Sequence, residues 1–278
     1  MAMEKPEPVL VADLFPEILD SLLTLLRGLG PAEWERATSA AGWTVKDVGV
    51  HLLGDDIGIL SRRRDGYREP SPSLETWDQL VVWLNARNEE WVRVNRRISP
   101  PLLCDLLQLT GEQACSFFRS LDPFALGGAV SWAGGNPAPV WLDVAREFTE
   151  RWHHQQHIRD AVGRPGLMEP RYLGPVLAAF VRALPRTFAQ LDTPQGTRVT
   201  LAVIGPAGGS WTVVRESEGW ILYRGTPPEP DAAVDLPEDA AWRLFTKGLS
   251  PEQARSRAVL YGDQALAGEL LKTISIIA

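Results

Sequence analysis

Three of the chain's four histidines fall within five residues, at His153, His154 and His157. They lie in the stretch Glu147-Phe148-Thr149-Glu150-Arg151-Trp152-His153-His154-Gln155-Gln156-His157-Ile158-Arg159-Asp160. The fourth, His51, stands about a hundred residues earlier. Imidazole is the commonest protein metal ligand and titrates near neutral pH. The chemistry to expect is therefore metal binding by this stretch, joined in space by His51. Glu150 and His154 are four apart, as are His153 and His157, while His154 and His157 are three apart. On a helix each such pair can chelate one ion from successive turns. A third ligand from His51 would leave coordination positions open, which is the arrangement of a catalytic zinc and not of a closed structural one. Imidazole with carboxylate suits zinc and also other divalent transition ions.

These residues need a helix to carry them. Val140 to Val162 reads as one, ended by Gly163-Arg164-Pro165-Gly166. At about 100° per residue, with Glu150 at zero, His157 lies about 20° and His153 about 60° to one side, and His154 about 40° to the other. Trp141, Val144, Ala145, Phe148 and Trp152 occupy the opposite half. The Glu/His arc also carries Asp143, Arg146 and Glu147, so a merely solvated polar face is the competing reading. His51 has apolar neighbours, Val48, Val50, Leu52 and Leu53; a lone histidine there also reads as a satisfied core residue, and it is the two observations together that favour a site. Its helix has a clear start: Thr44 is an N-cap with Asp47 three residues on, a capping box that also meets the positive helix end. Asp47 is four residues before His51, one turn away on the same face, and is expected to orient the imidazole from outside the ligand set.

The remaining chain divides by texture. Helical spacing runs from about Asp13 to Gly28, from Leu74 to Ile98 and from Leu102 to Leu121. Residues 122 to 139 are rich in Gly and Pro and read as a loop long enough to serve as a pocket wall. A further helical run spans Tyr172 to about Leu191, with a kink at Pro185. Strands are expected at 197–204, 210–215, 219–224 and 232–236, and helices at 237–246 and about 263–274. The fold class is α followed by α+β: an all-α part over 1–168, then a smaller C-terminal α+β part over 169–278, with 172–191 as a helical linker.

Composition sets limits. The chain has 278 residues, 45% hydrophobic and 23% charged, as in an ordinary folded protein. Eleven tryptophans imply a large aromatic core; Trp211, Trp220 and Trp242 are candidates to line a C-terminal cavity, with core packing the alternative. Net charge is −7 and the pI about 5.2. Arg62-Arg63-Arg64 and Arg96-Arg97 lack interleaved aromatics and read as solvated helix ends, so no nucleic-acid partner is expected. Cys104 and Cys115 form no CxxC motif or disulfide framework, which fits a reducing cytosol. The start lacks an apolar segment behind a basic one, and no apolar run is long enough for a bilayer, so a cytoplasmic protein without membrane partners is expected.

The stretch Gly42-Trp43-Thr44-Val45-Lys46-Asp47-Val48-Gly49-Val50-His51-Leu52 resembles the Trp-(Ser/Thr)-Val-(Lys/Arg)-Asp-x-x-x-His-Leu signature of the mycothiol-dependent maleylpyruvate isomerase family, part of the DinB-like helical-bundle superfamily. Glu150-x-x-x-His154, followed by Ile158 and Ala161-Val162-Gly163-Arg164-Pro165, is similar to that family's second metal motif. The tail Val234-Asp235-Leu236-Pro237-Glu238-Asp239-Ala240-Ala241-Trp242-Arg243-Leu244-Phe245 resembles the sterol-carrier-like domain often fused to it. The resemblance implies an N-terminal DinB-like four-helix bundle with His51, Glu150 and His154 as metal ligands. The pair His153 and His157 departs from that pattern. It fits a related thiol S-transferase branch, whose ligands are three histidines, two of them four apart on one helix. Register against Gly163 favours Glu150 and His154, with His157 as a replacement ligand and His153 as the alternative.

The resemblance further implies a low-molecular-weight thiol such as mycothiol as cosubstrate, a small-molecule substrate, a divalent ion with Zn2+ first, and a monomer or homodimer. A divalent ion leaves a coordinated thiol as thiolate at neutral pH. Thiolate addition to an activated double bond, rotation and elimination would give cis–trans isomerisation; addition without elimination would be S-transfer. Two other functions fit the same residues. One is a non-enzymatic protein binding a metal or small molecule, with an apolar ligand in the C-terminal part. The other is a hydrolase using metal-bound water.

Overall fold

The computed structural model describes residues 3–70, 72–134 and 136–276. The N-terminal part is helical: α1 Phe15–Arg27, α2 Pro31–Trp34, α3 Val45–Ile59, α4 Trp77–Asn95, α5 Pro100–Ser120 and α6 Val140–Val162. The loop expected over 122–139 contains a short antiparallel ribbon, β1 Leu126–Ala129 with β2 Pro137–Pro139. Strands this short, with Gly-Gly in one and two prolines in the other, lack the alternation by which a sequence announces a sheet.

After α6 come α7 Pro170–Phe180 and α8 Leu184–Thr187, joined by a 3-10 turn at Val181–Ala183. Then a five-stranded sheet forms from β3 Arg198–Ile204, β4 Gly209–Glu216, β5 Gly219–Arg224, β6 Ala232–Pro237 and β7 Val259–Gly262, in the order β5-β4-β3-β6-β7. β3 and β6 are parallel, with Val199 opposite Ala232 and Val203 opposite Leu236, and the other pairings are antiparallel. Helices α9 Glu238–Phe245, α10 Pro251–Arg255 and α11 Gln264–Leu270 complete it. The expected strands are present and so are the expected helices, except that the run over 172–191 is interrupted at Val181–Ala183, with Pro185 in the first turn of α8, and ends at Thr187; α10 and β7 are additions, each too short for a periodic signal.

The chain forms two compact units that do not follow chain order. Among the described residues, one holds Val11–Asp122 with Glu147–Leu167; the other holds 3–10, 123–146 and 168–276. Within the first, Leu22, Leu26, Trp34, Val48, Leu52, Leu103, Leu107 and Ile158 share one buried cluster. Within the second, Trp211, Trp220 and Trp242 are buried, and Phe188 stacks 4.9 Å from Trp220. These indoles pack as core, and each fully buried aromatic of this kind contributes about 1.5–3 kcal/mol or more by its area.

Two helices of the first unit matter most. In α3 the Thr44 hydroxyl accepts from the Asp47 N–H at 3.3 Å and Asp47 Oδ2 accepts from the Thr44 N–H at 3.0 Å. This is the capping box expected from the sequence, worth about 1 kcal/mol. The helix is then apolar nearly all round, with Val45, Val48, Val50, Leu52 and Leu53 buried, as a central helix must be. Gly54 admits a neighbour: a Cβ there would stand 2.6 Å from the Trp91 indole nitrogen, which donates to the Val50 carbonyl at 2.8 Å.

α6 is buried on both faces. Phe148, Trp152, Ile158 and Val162 pack into core as the helical wheel requires, and Thr149, His153, Gln155, Gln156 and Arg159 are buried as well. Gln155 donates to the Ile18 carbonyl, Arg159 to Ser21 Oγ at 2.7 Å and Gln156 to the Gly166 carbonyl. A solvated polar face is thus excluded for this helix. Gly163 ends it with φ +68, a conformation that glycine adopts without strain.

Candidate metal centre

His51 stands on the second turn of α3, and Glu150 and His154 on the middle turns of α6. The His51 and His154 Nε2 atoms are 3.1 Å apart, and His154 Nε2 is 3.3 Å from Glu150 Oε2. One donor atom from each of these three residues lies within 4.8 Å of the other two. Donors bound at about 2.0–2.1 Å around a tetrahedral ion sit about 3.3–3.4 Å from one another. The spacing and the chemistry of the set, two imidazoles and one carboxylate, therefore fit a divalent transition ion.

His153 and His157 are close to this set but outside it. The His153 ring centroid is 4.1 Å from that of His157 and 5.3 Å from that of His154, and His157 is likewise 5.3 Å from His154. All four histidines thus form one contiguous group of rings, with His51 and His154 at 4.5 Å. His153 is buried and His157 is partly exposed.

Burial, and next the neighbouring His154, hold the His51 imidazole down at about 3, so it stays neutral and keeps a lone pair available near neutral pH. Trp43 packs 5.0 Å from the His51 ring and donates from its indole N–H to Glu89 at 3.0 Å. The tryptophan of the signature stretch therefore forms one wall beside the histidine.

Asp47 does different work from the orienting role expected of it. Its oxygens accept from Arg96 at 2.8 and 3.2 Å and from the Thr44 N–H. Although desolvation opposes it, the Arg96 guanidinium and the Thr44 donors hold its carboxyl below the usual range. Asp47 caps α3 and ties it to the end of α4.

Two carboxylates that spacing alone did not single out are Asp55 and Asp56. Asp55 is four residues after His51, and its Oδ2 lies 3.3 Å from His51 Nε2. Enclosure, and next the Glu150 carboxylate, push Asp55 up to about 7. The i,i+4 rule that drew attention to Asp47 points equally forward to Asp55, and that was the signal available. Asp56 instead pairs with Arg151 at 2.7 Å and accepts from Thr110 at 3.0 Å; Arg151 also reaches Glu147 at 2.9 Å. Burial would lower Arg151, but Asp56 and Glu147 outweigh it and hold the guanidinium above its ordinary value. This buried ion-pair cluster clamps α3 to α6, with Arg151 next to Glu150 on α6 and Asp56 five residues after His51 on α3.

A family model described as the mycothiol maleylpyruvate isomerase N-terminal domain matches residues 15–159, a span that includes all three donors. The crystal structure of the mycothiol-dependent maleylpyruvate isomerase is similar, with 13% identity and a TM-score of 0.52. A histidine-to-alanine mutant of such an isomerase gives 12% and 0.51. Each comparison covers 84% of this chain and 86% of the other. At that identity the likeness is one of fold. The human (Homo sapiens) Roundabout homolog 3 is 28% identical over 172 residues, 55% of this chain but 12% of that protein's length. So small a share transfers no property.

Proposed function

Because the chain belongs to the mycothiol maleylpyruvate isomerase N-terminal domain family, we propose that it is a divalent-metal-dependent enzyme using a low-molecular-weight thiol. The thiol is mycothiol or a close equivalent, and the reaction is thiol transfer or cis–trans isomerisation of an activated alkene such as maleylpyruvate. The observation that carries this reading is the convergence of His51, Glu150 and His154 donor atoms from α3 and α6 inside the matched span.

In this reading His51, Glu150 and His154 hold the ion, with Zn2+ first among candidates, His157 as a replacement ligand and His153 as the alternative. The bound ion supplies a thiolate at neutral pH by lowering the pKa of a coordinated thiol. The chain's own residues prepare that site. His51, kept neutral by burial, presents Nε2 as a donor. Trp43 shields its ring from water on one side. The Arg151–Asp56–Glu147 cluster fixes the register of α6 against α3, so the donors are organised before anything binds.

The finer architecture belongs to the same proposal: a DinB-like four-helix bundle within residues 1–168 carries the chemistry, and a sterol-carrier-like α+β domain over 169–278 accompanies it. The partners are a small-molecule substrate and the thiol, acting on a monomer or homodimer in the cytoplasm. No helix among the described residues is long and apolar enough to cross a membrane.

The test is turnover by purified protein, metal-stripped and reloaded with Zn2+, on maleylpyruvate and on a panel of electrophiles with mycothiol or glutathione. Product formation that needs both the ion and the thiol, and is lost in His51→Ala, is the expected outcome. Turnover indifferent to metal and thiol overturns the reading, and ester hydrolysis without thiol would replace it by the hydrolase.

A further inference from the structure

Asp55 is not one of the three converging donors, yet it stands on the donor side of His51. Its Oδ2 lies 3.3 Å from His51 Nε2, the same nitrogen that faces His154 Nε2 at 3.1 Å. A residue that orients a ligand histidine from behind would approach the other ring nitrogen, Nδ1. Asp55 does the opposite: it approaches the nitrogen that would bind the ion. The carboxylate one turn before the histidine, Asp47, is committed to Arg96 and Thr44.

The charges around it point the same way. Asp55 and Glu150 bring two carboxylates to two imidazoles in a partly enclosed space. The nearby guanidinium, Arg151, gives its nitrogens to Asp56 at 2.7 Å and to Glu147 at 2.9 Å. Two carboxylates brought together away from bulk water repel unless one of them takes up a proton or a positive charge lies between them.

Resting on the metal centre proposed above, we propose that Asp55 is a fourth protein donor to the ion, approaching from the His51 side and giving a set of two imidazoles and two carboxylates, with the thiol taking a further position of an expanded coordination shell. Asp55 lies outside the mutual set formed by the other three, so it is the peripheral donor of the four. Its two consequences are charge and hardness. Two carboxylates neutralise a divalent ion, and a second carboxylate raises the affinity for harder ions such as Mn2+ relative to Zn2+.

The experiment is metal titration of the purified, metal-stripped full chain with Zn2+ and with Mn2+, by calorimetry and chelator competition. It compares wild type, Asp55→Asn and Asp55→Glu, with the Co2+ absorption spectrum as a report on the donor set and circular dichroism as a check on folding. Asp55→Asn keeps the shape and removes the charge. It is expected to weaken both ions by at least about tenfold, the lower bound even for outer partners of a metal site, with the larger loss for Mn2+ and a shifted Co2+ spectrum. Asp55→Glu should restore part of the affinity. If both variants bind both ions as wild type does, with an unchanged Co2+ spectrum, Asp55 is not a donor although the centre stands. If wild type takes up neither ion, the centre itself falls and this proposal with it.

Discussion

The Nε2 atoms of His51 and His154 lie 3.1 Å apart although 103 positions separate the two residues in the chain. This contact joins a capped, almost wholly buried helix to one that carries three of the four histidines. It turns two separate sequence features into one centre.

Removing His51 should remove the ion. His51→Ala leaves a single histidine and one carboxylate among the three converging donors. Metal affinity should fall by more than about 100-fold, since even outer partners of a metal site are worth about 10–100-fold. Elemental analysis after dialysis reads the result. Bound metal in unchanged stoichiometry would show that the ion sits elsewhere.

The buried ion-pair cluster should matter for stability. Arg151→Ala takes the guanidinium from buried Asp56, while Glu147 keeps Arg63 at 3.9 Å, and breaking a buried pair from one side costs about 3–5 kcal/mol. Urea denaturation of the variant should show a lower midpoint at an unchanged slope, with the shift multiplied by the slope giving that loss. A loss below about 1 kcal/mol would mean that the cluster is open to water.

The pH dependence of the metal-free protein contains two opposed contributions. His51 is neutral in the fold down to about 3 but titrates near 6.5 when unfolded, so over that window the unfolded chain binds the extra proton and stability is lost as pH falls. Asp55 keeps its proton up to about 7 in the fold against 3.8 unfolded, so its contribution is lost as pH rises. Between about pH 4 and 6.5 the two slopes cancel. Asp55→Asn removes one of them, and relative to wild type the metal-free variant should lose up to about 1.4 kcal/mol per pH unit on acidification across this range. Chemical denaturation at several pH values measures it; parallel curves for the two proteins would contradict the assignment.

Gly54 is where α3 admits the Trp91 indole. Gly54→Ala gains about 1 kcal/mol of helix propensity. The added carbon would stand 2.6 Å from the indole nitrogen, and the rigid ring must shift and loosen its bond to the Val50 carbonyl. Overpacking of this kind costs about 1–3 kcal/mol. A net loss of stability is therefore expected, with altered tryptophan fluorescence; a more stable variant with unchanged emission would show that the ring yields freely.

Much of the fold was legible in the sequence because it is local. Thr44 and Asp47 determine the start of α3 through a reciprocal cap that involves four consecutive residues. Gly163 determines the end of α6, and period-3.6 spacing determines which face Phe148 and Trp152 bury. The strands from 198 to 237 are announced by β-branched runs between glycines. The short elements β1, β2, β7 and α10 were not legible, because three to five residues carry no period.

Spacing along the chain is enough to put Glu150 and His154 on one helix face, since that follows from a rise of about 1.5 Å and about 100° per residue. The same geometry applies equally to His153 and His157, and to Asp47 and Asp55 around His51, so it cannot choose among them. Tertiary packing decides which side chains meet: α6 against α3 brings His154 to His51, and the end of α4 places Arg96 on Asp47, while Asp55 stands beside His51 within α3. Helical spacing is a property of the local backbone. Which side chains meet depends instead on how two distant helices are rotated about their axes, and that rotation is determined by the whole buried core.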